Sequence, residues 1–235
     1  MVVTTRVDPL GSVPIVPTYV VRVWVPDRPG ALGQVASRVG AVHGDVVGIE
    51  ILERGGGRAI DELVVTLPEE GLVDLLVAEM GQVDGVDVED VRQVDPDRLD
   101  RQLAALESAA QIVEARSRAE LLDLLCANCM IDFETDWAVV LDLEHTAAVA
   151  SHGQPPEAAW LAAFLAGSRH LGDHGGEKVG PDDLAWAELE RSSLAVAVGR
   201  RNRPYRYHER RQLAALARIA DAALALAVVR SEPLA

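Results

Sequence analysis

Apolar residues follow two different periods along the first hundred positions of the chain. In residues 19–25 a period of two puts Tyr19, Val21, Val23 and Val25 on one apolar face, which is typical of a β-strand. In residues 32–39 the spacing becomes helical, and Gly44 follows as a natural helix stop. By these criteria we predict strands over residues 19–25, 46–53, 59–67 and 86–94, with helices over residues 32–39 and 72–80. The order β-α-β-β-α-β is that of the ferredoxin-like fold.

The pattern changes after residue 95. Over residues 96–115 an apolar stripe recurs at helical spacing in a charged background, which predicts a connecting helix suited to packing or dimerisation. The stripe consists of Leu99, Leu103, Leu106, Ala110 and Val113. Beyond it we predict helices over residues 118–129, 158–166 and 207–229, and strands over residues 137–143, 146–151, 184–189 and 193–199. Helices around an antiparallel sheet would make this a second α+β unit.

Length, charge and cysteine content limit the number of domains, the kinds of partner and the cellular location that we expect. The chain has 235 residues, which suits two domains, and a net charge of −15. An acidic surface repels phosphate backbones and anionic lipid, so we expect neither a nucleic acid nor a membrane as partner. The longest apolar stretch is interrupted by Arg218 and Asp221 and is too short to span a membrane. Two cysteines and no apolar leader favour a soluble cytoplasmic protein.

The chemistry-bearing stretch is VPDRPGALGQVASRVGAVHGD, residues 25–45, where the first strand passes into the first helix. Pro29 suits a first helical turn, and Gly30 lets the backbone approach a small ligand. The unpaired N–H groups of the helix start favour a carboxylate or phosphate. Asp27 either caps the helix or binds an ammonium group. The candidate ligand-binding residues are Asp27, Arg28, Pro29, Gly30, Ala31, Leu32, Gly33, Asp45 and Val46.

Two interpretations of this corner remain open. We expect the second strand to lie beside the first, so that Asp27, Asp45 and the loop amides bracket one zwitterion. Alternatively, the Pro-Gly pair only shapes the turn and binds nothing.

Residues 19–94 resemble an ACT domain. The resemblance rests on the D-R-P-G-x-L loop, the apolar helix and the Gly-Asp-Val entry into the second strand. ACT domains are regulatory modules that usually pair side by side, and many bind an amino acid between the helix-start loop and a neighbouring subunit's second strand. The resemblance therefore implies an amino-acid ligand between the loop of one subunit and Asp45 of another. Family members often have Asn at the position of Asp45.

Residues 118–228 resemble a GAF domain in their order of elements and in a last strand that leads into an alanine-rich helix. Tyr205 and Tyr207 stand where that family often has Phe, and Glu209 stands near its usual acid. GAF domains sense small molecules or dimerise, and the family's cyclic-nucleotide signature is missing here. The resemblance implies an α/β sandwich with an antiparallel sheet.

Local clusters invite other interpretations. Cys126 and Cys129 form a CxxC that would be redox-active if exposed, but it lies late in an apolar helix, which favours buried thiols. His170, Asp173 and His174, with His152 further away, fit no metal pattern and are expected to be solvated.

The arginines of residues 200–211 either receive an acidic partner or a phosphate, or form a basic face that complements the protein's own acidic half, and we favour the second interpretation. No Walker loop, nucleophile elbow or H-E-x-x-H motif predicts an enzyme.

Together these patterns predict an α+β protein with a mobile arm (residues 1–18), an ACT-like domain (19–95), a connecting helix (96–117) and a GAF-like domain (118–230). We expect a non-enzymatic sensor without cofactor or metal. It would bind an amino acid at the ACT-like domain, pair as a homodimer through ACT and helical surfaces, and signal through the GAF-like domain to an unknown protein partner. The alternatives are a ligand-free dimerisation or interaction protein and a thiol redox protein.

Overall fold

The chain forms two units, Met1–Leu99 and Asp100–Ala235, each built around a four-stranded antiparallel sheet. The computed structural model describes residues 16–95, 100–172 and 183–231, with the side chains of residues 169–172 and 227–231 excepted. The α+β class predicted from the sequence is confirmed. Among the described residues, no helix is long and apolar enough to cross a membrane.

The first unit has the order βαββαβ, as predicted. Its elements are β1 (Thr18–Pro26), α1 (Ala31–Ala41), β2 (Asp45–Gly55), β3 (Arg58–Thr66), a 3₁₀ turn (Glu70–Leu72), α2 (Val73–Met80) and β4 (Asp87–Gln93). The strand order in the sheet is β2-β3-β1-β4. The expectation that β2 lies beside β1 is wrong, because β3 lies between them.

The core of the first unit lies between the sheet and its two helices. Val21 and Val23 of β1 are fully buried, as their period of two predicts, and they pack in one cluster with Val35 and Val39 of α1. Leu76 of α2 belongs to the same cluster. Both helices therefore cover one face of the sheet.

Strand β2 forms one edge of this sheet. Its pairing with β3 is interrupted by register shifts between Val46 and Gly48 and between Ile51 and Glu53. Large apolar side chains along this edge are exposed: Val47, Ile49 and Ile51. The edge is thus apolar, but its regular part is short.

The second unit places its sheet between two layers of helices. Its elements are α3 (Arg101–Glu114), α4 (Arg118–Asp132), β5 (Trp137–Asp142), β6 (Ala147–Gly153), α5 (Ala158–Gly172), β7 (Leu184–Leu189), a 3₁₀ turn (Glu190–Ser192), β8 (Leu194–Gly199) and α6 (Tyr207–Ser231). The strand order is β6-β5-β8-β7, and the antiparallel sheet predicted for this unit is present.

Alternation along β5 divides its side chains between the two faces of the sheet. Ala138 and Val140 join the core formed with α3, α4 and α6, whereas Val139 joins the cluster formed with α5. Leu161 and Leu165 of α5 fill the middle of that second face.

Helix α3 packs in the second unit through the side opposite to the predicted stripe. Ile112 is buried in the core, and the buried Asn128 amide of α4 donates a hydrogen bond to the Ser108 carbonyl at 3.3 Å. The stripe residues of α3 are exposed: Leu103, Leu106, Ala110 and Val113. Leu99 lies outside the described residues.

Candidate functional site

The corner between β1 and α1 is formed by residues 27–30. The Asp27 N–H donates to the Gly57 carbonyl at 2.9 Å, which ties the corner to the β2–β3 turn. Gly30 caps α1 with a φ of 86°, a left-handed conformation that glycine adopts without strain. Asp27 accepts no hydrogen bond from the described part of the chain, so of its two predicted roles that of helix cap is wrong.

The first turn of α1 presents unpaired backbone donors. The Ala31 N–H donates to the Arg28 carbonyl at 3.3 Å, and the Gln34 N–H donates to the Gly30 carbonyl at 3.1 Å. The N–H groups of Leu32 and Gly33 have no partner among the described residues. They lie at the electropositive end of the helix dipole, which favours an anionic group.

Asp61 is a buried acid that the sequence interpretation missed. It lies on β3 directly opposite Val23 of β1 and Ile51 of β2, so its side chain shares the helix-covered face of the sheet with Val23. Asp61 is only 4% exposed, and its Oδ1 atom has no hydrogen-bond partner. The alternation of Ala59, Asp61 and Leu63 puts this acid on an apolar face of β3. This pattern in the sequence could have identified Asp61 as a buried acid.

The electrostatics link Asp61 to the corner. Burial raises the pKa of Asp61, Arg54 lowers it, and Asp27 raises it. Both charged neighbours therefore act on the Asp61 carboxylate. An unpaired buried carboxylate is costly, typically by about 1–3 kcal/mol for a polar group and by more when it is charged. A cationic group near Asp61 would therefore offset the cost of burying its carboxylate.

Asp45 and the corner lie at opposite ends of the sheet in one copy of the chain. Asp45 pairs with Thr66, and Thr66 pairs with Thr18 at the start of β1, whereas the corner follows Pro26 at its end. The nine residues of β1 separate these ends by roughly 26 Å. The structure therefore brings Asp27 and residues 28–33 together but not Asp45 or Val46. Their contribution from a neighbouring copy stays a prediction.

Two arginines after β8, Arg200 and Arg203, bind acids and backbone carbonyls of the second unit. The Arg200 guanidinium is buried, donates to Glu209 at 2.6 Å and to the Phe133 carbonyl at 2.8 Å, and lies 4.0 Å from the centre of the Tyr205 ring. Arg203 pairs with Glu134. Both partner acids lie in the second unit, and the interpretation that the arginines complement the acidic first half of the chain stays a prediction.

The remaining clusters show no metal or thiol site in the part of the chain that the structure describes. Cys126 and Cys129 are both buried, as expected, and burial raises the pKa of the Cys126 thiol to about 12. The His152 ring lies 2.9 Å from Asp123. No group of three potential metal ligands occurs in the described residues. The side chains of His170, Asp173 and His174 lie outside them.

No family model matches the chain, and no curated protein matches it either. Several solved structures are similar in fold. The ACT domain from GTP pyrophosphokinase of Chlorobium tepidum has 16% identity and a TM-score of 0.27, and the match covers 33% of this chain and 96% of that one. An uncharacterized protein of Thermotoga maritima has 23% identity and a TM-score of 0.27, with the same coverage.

A third similar structure is a formyltetrahydrofolate deformylase from Pseudomonas putida. It has 17% identity and a TM-score of 0.26, and the match covers 40% of this chain and 38% of that one. The βαββαβ order of the first unit rests on its own elements and on its strand order β2-β3-β1-β4. None of these three structures tests the resemblance of the second unit to GAF domains.

Proposed function

We propose that this protein is a non-enzymatic sensor whose first unit binds a free amino acid at the α1 corner. The amino acid's carboxylate accepts hydrogen bonds from the Leu32 and Gly33 N–H groups, and its ammonium group pairs with Asp61. The observation that carries the proposal is the buried Asp61 carboxylate, which has an unpartnered oxygen and whose pKa is raised in part by Asp27 of the corner.

The charges at the corner suit a zwitterion better than a simple anion. Asp27 and Asp61 lie near one another, and the unpaired amides lie on the adjacent helix start. An anion alone would satisfy the amides but would be repelled by the two acids. An ammonium group offsets the cost of burying Asp61, since charge-assisted hydrogen bonds are the stronger kind.

The edge strand supplies apolar surface next to the same acid. Ile51 lies directly opposite Asp61 and is 40% exposed, and Ile49 is exposed on the same strand. Apolar contact with these side chains favours an amino acid with an aliphatic or otherwise apolar side chain. The proposed ligand is therefore a free amino acid with an apolar side chain.

A sensor must also convert binding into a signal. A ligand shifts an equilibrium only through different affinities for two states. The exposed stripe of α3 (Leu103, Leu106, Ala110 and Val113) offers a surface whose pairing can differ between those states. In this proposal the second unit passes the signal to a protein partner through such a surface.

Calorimetric titration and thermal unfolding with the twenty amino acids test the proposal. Ligand at about 100 times its Kd adds about 2.7 kcal/mol to the free energy of unfolding. The amino acid that binds is then compared with its N-acetyl derivative, which lacks the ammonium charge. Both N-acetylation and Asp61→Asn are expected to weaken binding at least about tenfold.

A matched control separates this site from general charge effects. Asp74→Asn removes an exposed acid of α2 in the same unit and is expected to leave the affinity unchanged. Equal binding by wild type and Asp61→Asn would overturn the assignment of Asp61. Failure of every amino acid to bind would overturn the sensor function.

A second candidate function is that of a ligand-free interaction protein. The exposed apolar edge of β2 and the exposed stripe of α3 favour it, because large apolar surfaces usually mark contact with another protein. Sedimentation velocity distinguishes the two functions. A dimer whose stability is unaffected by all twenty amino acids supports this second candidate, and a dimer strengthened by one of them supports the sensor.

A further inference from the structure

A hollow at one end of the second sheet has the dimensions of a ligand pocket. It lies where β5 and β7 begin and β6 and β8 end, and its volume is about 830 Å³. Small-molecule sites are typically about 300–1,000 Å³. The side chains that matter to its chemistry are Trp137, Trp160, Asp136, Asp183, Pro156 and Arg201. The middle of this face is already filled by Leu161 and Leu165, so the hollow is separate from the core.

Two glycines hold Trp137 in the wall of this hollow. Trp137 pairs with Gly153 on β6 and with Gly199 on β8. A Cβ atom on Gly199 would overlap the Trp137 indole, and a Cβ atom on Gly153 would overlap the Asp136 carbonyl. The indole therefore lies directly on the backbone of Gly199. This close packing fixes the ring while leaving Trp137 only half-buried.

Trp160 supplies a second aromatic surface. It lies in the first turn of α5, is 51% exposed, and stacks on Phe164 with ring centres 5.7 Å apart and an interplanar angle of 7°. Pro155 and Pro156 precede the helix and line the same hollow. An exposed tryptophan that is held by a stacked neighbour is a preformed surface for a ligand.

Three carboxylates border the two tryptophans: Asp136, Asp183 and Glu157. Asp136 accepts the Arg201 N–H at 3.0 Å through Oδ2. The Asp183 carboxylate has no partner among the described residues, although its carbonyl accepts the Arg200 N–H at 3.1 Å. Glu157 lines an adjoining hollow of about 470 Å³ together with Trp160.

The positive charge near the hollow does not balance these acids. In the part of the chain that the structure describes, the Arg200 guanidinium is committed to Glu209 and to carbonyl groups, and the Arg210 guanidinium donates to the Leu184 carbonyl at 2.9 Å. Arg201 and Arg210 are thus set against three carboxylates. Tryptophan faces bordered by carboxylates recognise organic cations, because the ring quadrupole and the acids both attract positive charge. A phosphate would meet a net negative surface.

We propose that the second unit binds a small organic cation with a methylated ammonium group, which lies against Trp137 and Trp160 with Asp136 and Asp183 facing its charge. This site is independent of the amino-acid site proposed in the first unit. The protein would then respond to two different small molecules, one in each unit.

Choline chloride is the probe that tests this site. Calorimetric titration at constant ionic strength, with sodium chloride as the matched salt, is expected to show saturable binding. Trp160→Ala and Asp183→Asn are each expected to weaken binding about tenfold, because one removes an aromatic face and the other a carboxylate. Trp160→Phe keeps an aromatic face and is expected to retain most of the affinity.

Controls separate this proposal from a general salt effect and from the first unit. Trp24→Phe changes a tryptophan of the first unit, and Asp61→Asn removes the acid of the amino-acid site; both are expected to leave choline binding unchanged. Circular dichroism confirms that each variant is folded. The absence of saturable binding to folded wild type, or equal binding by folded Trp160→Ala, would overturn the proposal.

Discussion

Arg22 and Glu62 form a fully buried ion pair in the first unit, with Nη2 of the arginine 2.8 Å from Oε1 of the glutamate. They lie opposite one another on β1 and β3, on the face of the sheet away from the helices. Arg92 of β4 adds a second guanidinium at 3.1 Å from the same Glu62 oxygen. Because both charges are out of water, each depends on the other for compensation.

Glu62→Gln is therefore expected to lower the free energy of unfolding by about 3–5 kcal/mol, since the buried guanidinium of Arg22 loses this counter-charge. Urea unfolding followed by circular dichroism measures the loss. Asp87→Asn breaks the exposed pair with Arg58 and is the control, with an expected cost below about 1 kcal/mol. Similar losses in both variants would contradict the special role of the buried pair.

Asp61→Asn is expected to stabilise the unliganded protein by about 1–3 kcal/mol at neutral pH, since an amide replaces a buried, unpaired carboxylate. The pKa of Asp61 in the folded protein is raised above its usual 3.8, so the cost of burying its charge grows as pH rises through this range. The advantage of the variant should therefore shrink as pH falls toward 3.8. Urea titrations across pH check this, and a constant advantage would contradict the titration of Asp61.

The thiols of Cys126 and Cys129 are expected to react slowly in the folded protein. Burial raises the pKa of Cys126 to about 12, so the reactive thiolate is scarce near pH 8, and burial raises the pKa of Cys129 as well. Titration with a chromogenic disulfide should detect no fast thiol in the native protein and two thiols in urea. A fast native thiol would instead favour the redox interpretation.

Arg200→Ala is expected to cost about 3–5 kcal/mol, because it leaves the buried Glu209 carboxylate without its partner at 2.6 Å. The neighbouring Arg201→Ala removes an exposed guanidinium and is the matched control, with an expected effect within about 0.5 kcal/mol. Thermal unfolding compares the two. Equal losses would contradict the structural role of Arg200.

The elements of the fold were predictable because alternation and helical spacing report which side of each element is buried. Val21 and Val23 indicate the buried face of β1 in this way, and Ala138 and Val140 indicate one buried face of β5. Strand neighbours were not predictable from the same signal, because a period of two does not say which strand lies alongside. The placement of β2 beside β1 failed for that reason.

The candidate sites were predictable only where their residues are contiguous. The α1 corner is one stretch of chain, and its proline and glycine predict a turn. Asp61 was visible as an acid on an apolar face but became significant only when register placed it beside Val23. Trp137, Trp160 and Asp183 lie far apart in the sequence, and only the sheet brings them to one hollow.

The two bulges of β2 have a consequence for assembly. An exposed apolar edge strand is a template on which further strands can add without limit, which leads to aggregates. Between its register shifts, however, β2 keeps regular pairing only from Gly48 to Ile51. Bulges bend and twist a strand away from the flat geometry that continuous growth requires. The bulges therefore oppose continuous strand addition at this edge, and any strand that paired there would meet only a short regular stretch.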